Sequence, residues 1–184
     1  MQLSVVIPCY NVVSTRGAEV LDACLSAVCQ EALPAHEVVV ADSSDDGTPD
    51  HIEESYPGVT LIRSDQRLQA GGARNLGVSQ AAGEIIAFID TDCVVEEGWA
   101  TAIIETLDER SEAPGVTGPI RGPEGEGQYA HLDRILSFNH HAFLETGEWT
   151  HRASTSNFAI RREVFEELGG FREDLRGNEE YVLC

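Results

Sequence analysis

Along its first half the chain alternates between short apolar runs and longer stretches in which apolar residues recur at helical spacing. Leu3–Ile7 is an apolar run closed by Pro8, the pattern of a strand buried on both faces. Val20, Leu21, Cys24, Leu25 and Val28 then share one face of a helix. Val38–Ala41 is a second buried strand, and Thr48-Pro49 reads as N-cap and first residue of the next helix. Val59–Arg63 is a third strand. Gly71-Gly72 opens a helix of about ten residues that Gly83 ends. Ile85–Ile89 is the fourth strand and delivers Asp90 at its carboxyl end.

The second half is less regular. Trp99, Ile103, Ile104 and Leu107 mark a helix, and Val116–Ile120 predicts a strand. A Gly/Glu/Pro loop from Gly122 to Gly127 precedes a helix expected near Tyr129–Phe143. Phe158–Ile160 predicts another strand. Val164, Phe165 and Leu168 form one face of a short helix ended by Gly169-Gly170.

Strand and helix alternating at this spacing imply right-handed crossovers and an α/β architecture with a mostly parallel central sheet. Ligands of such sheets bind outside the carboxyl ends of the strands. Here those ends carry Pro8-Cys9-Tyr10-Asn11, Asp42-Ser43-Ser44-Asp45-Asp46-Gly47 and Asp90-Thr91-Asp92. Three polar loops therefore fall on one rim of one sheet.

Charge sharpens this picture. The 184 residues contain 32 Asp and Glu against 12 Lys and Arg, all 12 of them arginine, for a net charge of −20. Nucleic acid is excluded as a partner, because its binding needs basic groups to replace phosphate counterions. The lysine-free acidic composition resembles that of cytoplasmic proteins of salt-in halophiles; a high-GC genome favouring arginine is the alternative. Five cysteines, an odd number with no C-x-x-C pair, indicate neither a disulfide framework nor a zinc site. No stretch reaches the roughly 18 apolar residues of a membrane helix, and the first residues lack a signal-peptide pattern. These features point to a cytoplasmic protein.

Asp90-Thr91-Asp92 directly follows an apolar strand. Two carboxylates at i and i+2 on an exposed turn suit a divalent cation, Mn²⁺ or Mg²⁺, which in turn suits the two phosphates of a nucleotide diphosphate. An Asp-x-Asp pair also arises by chance in so acidic a chain; its place facing two other polar strand ends favours function. With no lysine present, something other than a P-loop lysine must neutralise a diphosphate.

Four segments then carry a resemblance: Ser4–Asn11 (SVVIPCYN), Val38–Thr48 (VVVADSSDDGT), Gly71–Gly77 (GGARNLG) and Phe88–Asp92 (FIDTD). In order and spacing they resemble the family 2 glycosyltransferases, inverting enzymes of the GT-A fold. The likeness continues through Gly169–Glu173 (GGFRE) to Glu179–Leu183 (EEYVL). It implies a single GT-A domain over 1–184, Rossmann-like, with a nucleotide-sugar-binding half (1–95) and an acceptor-side half (96–184). It further implies that Asp42 accepts hydrogen bonds from the base or ribose of a donor, expected to be UDP-linked, and that Pro8, Tyr10 and Asn11 pack against the base. Arg74 would contact the nucleotide, Asp90 would lie near the ribose and help hold the metal, and Asp92 would bind the metal more directly. Asp45 and Asp46 read as loop shapers.

Inverting transfer needs a base that deprotonates the acceptor hydroxyl. The family carries it in a Glu-Asp pair after the Gly-Gly-Phe turn; this chain has Glu179-Glu180, which puts Glu180 at the base position with one methylene more reach. The chain stops at Cys184, where family members normally continue, so a truncated form or a short variant is expected. His140, His141 and His151 read as acceptor-side or surface residues rather than metal ligands, and Trp149 with Ser154–Asn157 as acceptor-side or structural. The acceptor, whether saccharide, lipid-linked or protein, is open, and any membrane association would be peripheral, at the inner face. Two other readings stay open: a nucleotidyltransferase, although Pro8-Cys9-Tyr10-Asn11 lacks the Gly-rich basic loop of that class, and a non-catalytic nucleotide-sugar-binding module.

Overall fold

The computed structural model describes residues 1–32, 36–122, 147–150 and 153–175. Their elements run β1 (Leu3–Cys9), α1 (Val12–Arg16), α2 (Ala18–Ala32), β2 (Glu37–Asp42), α3 (Thr48–Ser55), β3 (Thr60–Arg63), α4 (Ala70–Gln80), β4 (Ile85–Phe88), α5 (Trp99–Glu109), β5 (Gly115–Thr117), β6 (Phe158–Arg161) and α6 (Arg162–Glu167). The strands form one six-stranded sheet in the order β3-β2-β1-β4-β6-β5. β3, β2, β1 and β4 are parallel, whereas β6 runs antiparallel to both β4 and β5. The expected α/β class and mostly parallel sheet are therefore observed.

Both faces of the sheet are covered, which is why its inner strands read as continuous apolar runs. Side chains alternate between two cores. Leu3, Val5 and Ile7 of β1 join Leu21, Leu25 and Val28 of α2 and Leu107 of α5 on one face. Val6 joins Val39, Val78, Phe88, Phe165 and Phe171 on the other. Phe88, fully buried, meets the rings of Phe171, Phe165 and Phe158 at centroid distances of 5.1, 5.8 and 6.3 Å. Each such pair adds about 0.5–1.5 kcal/mol beyond the area it buries. This cluster anchors β4 immediately before Asp90.

Several element ends differ from the sequence reading. β1 continues through Pro8 to Cys9, since its pairing with β4 ends at Val6–Phe88 and Pro8 is paired to β2 alone. The N-cap of α3 is Gly47, not Thr48: the Asp46 carboxylate accepts from the Thr48 N–H at 2.9 Å, and the buried Thr48 Oγ1 accepts from the Val13 N–H. α4 ends at Gln80, three residues before Gly83. Gly83 instead permits close approach to β1, where its N–H donates to Ser4 Oγ at 2.8 Å and a Cβ would lie 2.7 Å from the Ser4 nitrogen. β5 stops at Thr117, before Pro119, which has no N–H to extend an edge ladder. The expected helix near Tyr129–Phe143 lies outside the described residues.

Candidate functional site

Three parallel strands, β2, β1 and β4, end side by side, and the loops that follow them interlock. Asn11, at a left-handed φ of 49°, caps α1. Its side chain donates to Asp45 Oδ1 at 2.5 Å and accepts from the Asp45 N–H at 2.9 Å, while its own N–H donates to Ser44 Oγ. The buried Asp42 accepts from the Ser44 N–H (2.9 Å) and hydroxyl (2.7 Å), closing an Asx turn. Asp46 accepts from the Ser14 and Thr48 N–H groups. Burial opposes its ionisation, but those bonds outweigh burial and bring the carboxyl down to about 2. The first two loops are thus stitched by acidic side chains: Asp46 is spent on backbone amides, as expected, whereas the Asp45 carboxylate takes the Asn11 side-chain amide instead.

The third loop turns tightly, with the Cys93 N–H donating to the Asp90 carbonyl at 3.0 Å. Both oxygens of the Asp90 carboxylate are engaged: Arg74 Nη2 donates to Oδ1 at 2.7 Å and Ser156 Oγ donates to Oδ2 at 2.7 Å. Arg74 rises from α4 with only 3% of its side chain exposed and lies 5.8 Å from the Phe171 ring centroid. Asp92 stands at the exposed rim and pairs with Arg16 at the end of α1. Burial, then the charges of Asp90 and Asp92, push the neighbouring Cys93 thiol up to about 12, so it is not an ionised nucleophile.

These loops enclose a cleft of about 360 Å³, lined by Pro8, Tyr10, Arg74, Asp90 and Asp92 together with Arg16 and Arg67. Arg67 lies over the Tyr10 ring, 4.4 Å from its centroid. An adjoining hollow of about 280 Å³ shares Tyr10 and Arg67 and reaches Asp42. The sequence-predicted residues therefore gather around two connected cavities, except Asn11, which lines neither and braces the loops. Glu180, with His140, His141 and His151, lies outside the described residues. Trp149 is exposed and stacks near Arg110.

Sequence reasoning did not single out Arg16, Arg67 or the bond from Ser156 to Asp90. The first two carried one available signal: in a chain without lysine, any cation in an acidic cleft must be arginine. Ser156 falls in the Ser154–Asn157 stretch read as acceptor-side or structural, but its bond to a partner 66 residues away carried no signal.

The donor chemistry of the site suits a hard cation. Asp92 offers carboxylate oxygens at the open rim, whereas Asp90 is already bonded on both oxygens. Among the described residues no group of three His, Cys, Asp or Glu side chains forms a closed metal cage. A cation bound through one or two carboxylates and completed by phosphate oxygens and water matches that donor set.

This arrangement defines an α/β protein whose cleft, at the carboxyl ends of parallel strands, presents paired carboxylates and arginines to a small polar ligand. The family model for glycosyl transferase family 2 matches residues 4–169, and the chain belongs to that family. It is 30% identical over 179 residues to the glycosyltransferase AglE of Haloferax volcanii, an alignment covering 94% of this chain and 57% of that protein. The chain spans a little over half the length of curated relatives that it matches, 57% and 53% of two of them. Its fold superposes on S. aureus TarS 1–349 in complex with UDP-GlcNAc (TM-score 0.73, 21% identity, 100% of this chain and 52% of that one). It also superposes on the mannosyltransferase PcManGT of Pyrobaculum calidifontis in complex with GDP-Man and Mn²⁺ (TM-score 0.71, 24% identity, 98% and 50%). The fold is thus GT-A.

Proposed function

We propose that the chain is the donor-binding domain of a glycosyltransferase that moves a sugar, with inversion, from a nucleotide diphosphate, UDP-linked, to an acceptor hydroxyl. The observation that carries this reading is the convergence of Asp90, Arg74 and Asp92 on one cleft beside the Tyr10–Asp42 hollow. The hollow takes the base: Tyr10 offers a ring face, and Asp42, fixed by Ser44, keeps unused lone pairs on its carboxylate as acceptors. Asp90 is held rigid by Arg74 and Ser156 and accepts from ribose hydroxyls. Asp92 is the metal ligand, with Asp90 contributing at most one further oxygen. When bound, Mn²⁺ or Mg²⁺ supplies charge that stabilises the departing diphosphate. Glu180 takes the base role by its place in the motif. Residues 1–95 form the donor half and 96–184 the acceptor half of one domain, working in a salt-rich cytoplasm or at the inner face of its membrane. Among the described residues no helix is long and apolar enough to cross a membrane.

Calorimetry with UDP and with GDP, each with and without Mn²⁺, tests the donor site. Metal-dependent UDP binding is expected; no binding of either nucleotide would overturn the reading. Transfer or hydrolysis assays with UDP-sugars then test catalysis. Binding without turnover would leave a nucleotide-sugar-binding module in place of an enzyme.

A further inference from the structure

Among the described residues three arginines line the cleft, and two are held against other groups. Arg74 is buried against Asp90, and Arg67 is stacked on Tyr10. The third, Arg16, has 56% of its side chain exposed and is paired with Asp92, the carboxylate assigned above to the metal. Its backbone is fixed. α1 is tied to the second loop through Val13 N–H to Thr48 Oγ1 and Ser14 N–H to Asp46 Oδ2, and Gly17 N–H closes the helix on the Val12 carbonyl. The Arg16 guanidinium is therefore a long arm on a rigid mount, with the cleft within its reach.

We propose that Arg16 is a counter-ion that exchanges partners: it neutralises Asp92 until the metal arrives, then grips the donor diphosphate. The inference rests on the donor-site reading above. An acidic rim in a chain of net charge −20 needs an internal cation both to satisfy Asp92 and to receive a phosphate anion. No lysine is available for either task. Once a divalent cation claims Asp92, the guanidinium faces a like charge and loses its partner. Its planar fork of donors matches phosphate oxygens, which enter the cleft with that cation. Arg16 thus opposes metal binding alone and favours metal and diphosphate together, so each tightens the other.

The two roles predict effects of opposite sign from one substitution. Titrate the chain with Mn²⁺ alone, then with UDP in saturating Mn²⁺, for the unaltered protein and for Arg16→Gln, Arg16→Lys and Arg67→Gln. Arg16→Gln should bind Mn²⁺ alone about two- to fivefold tighter, the range of an exposed ion pair. It should bind UDP at least about tenfold more weakly, as for loss of a charge-assisted hydrogen bond. Arg67→Gln removes the same charge from the same cleft without touching Asp92, so its Mn²⁺ affinity should stay within about twofold of the unaltered chain. Arg16→Lys should keep the Mn²⁺ affinity and fall between in UDP affinity. Equal Mn²⁺ shifts for Arg16→Gln and Arg67→Gln, or undiminished UDP binding by Arg16→Gln, would overturn the exchange while leaving the donor site standing. Failure of the unaltered chain to bind UDP or GDP, with or without Mn²⁺, would instead overturn both.

Discussion

Asn75 holds Phe171 at both ends of one residue: its Oδ1 accepts from the Phe171 N–H at 2.9 Å, and its Nδ2 donates to the Phe171 carbonyl at 2.8 Å. The preceding residue, Arg74, holds Asp90. Two consecutive side chains of α4 thus tie the cleft to the Gly169–Asp174 turn. That turn lies so near the helix that a Cβ on Gly71 would meet the Arg172 carbonyl oxygen at 2.7 Å. Replacing Asn75 by Ala strips two partners from the Phe171 backbone. We expect a loss of about 2–3 kcal/mol in stability, read by urea unfolding. Asn75→Asp, whose second oxygen would face the Phe171 carbonyl and the Glu173 carboxylate, should lose at least as much as Ala at neutral pH; a smaller loss would mean that the donor contacts contribute nothing.

The Arg74–Asp90 pair should behave as a unit. Arg74 is buried while Asp90 is part-exposed and also bonded by Ser156, so Asp90→Asn, which takes the charged partner from a buried cation, should destabilise more than Arg74→Met. The double variant should be less destabilised than the sum of the two. Thermal or chemical unfolding of all four proteins gives the coupling energy, and strict additivity would show that the pair does not interact.

Asp90 and Asp92 should separate functionally. Asp92→Asn is expected to lose the metal-dependent increment of UDP binding and to keep the weaker metal-free binding. Asp90→Asn should weaken UDP binding with or without Mn²⁺. Calorimetry in Mn²⁺ and in EDTA distinguishes the two patterns, and identical profiles for both variants would refute the division of labour.

Acid should weaken the fold through the stitched loops. Hydrogen bonds that outweigh burial bring Asp46 down to about 2, and the bond from His51, with help from Tyr56, lowers Asp22. A carboxyl with a depressed folded-state pKa contributes stability above its unfolded value, near 4, and loses it as pH falls towards 2. The unaltered chain should therefore lose stability across that interval, and Asp46→Asn should lose less. Urea midpoints between pH 5 and pH 2.5 provide the check.

Salt should raise stability. At a net charge of −20, self-repulsion opposes the compact state, and at 1 M ionic strength screening reaches within about 3 Å. The melting temperature is expected to climb from low salt into the molar range. A flat response would remove the halophile reading and favour base composition as the source of the missing lysines.

The parallel core was legible because strands covered on both faces leave unbroken apolar runs, and because a strand end followed by an acidic loop is visible in one dimension. What decides element ends is not. Pro8 stays in β1 because β4 has already ended beside it, and Gly83 is shaped by Ser4 from a distant strand. The site divides the same way. Asp42, Asp90 and Asp92 were readable as strand-end carboxylates, and Arg74 by its motif. Arg74's partner was not, since Asp42 and Asp46 were equally plausible on charge alone. Asn11, at a left-handed φ, gives its side chain to Asp45 of the second loop, a contact between two loops that a linear sequence does not display.

The antiparallel strand β6 has one more consequence. It pairs with β4 only after some 70 residues of intervening chain, and the same segment delivers Ser156 to Asp90. On a ribosome, β1 to β4 would emerge with the β4 edge still bare, and Asp90 would lack its Ser156 brace until residue 161 had cleared the exit tunnel. Covering that edge and bracing the cleft would then come late in synthesis, in one event.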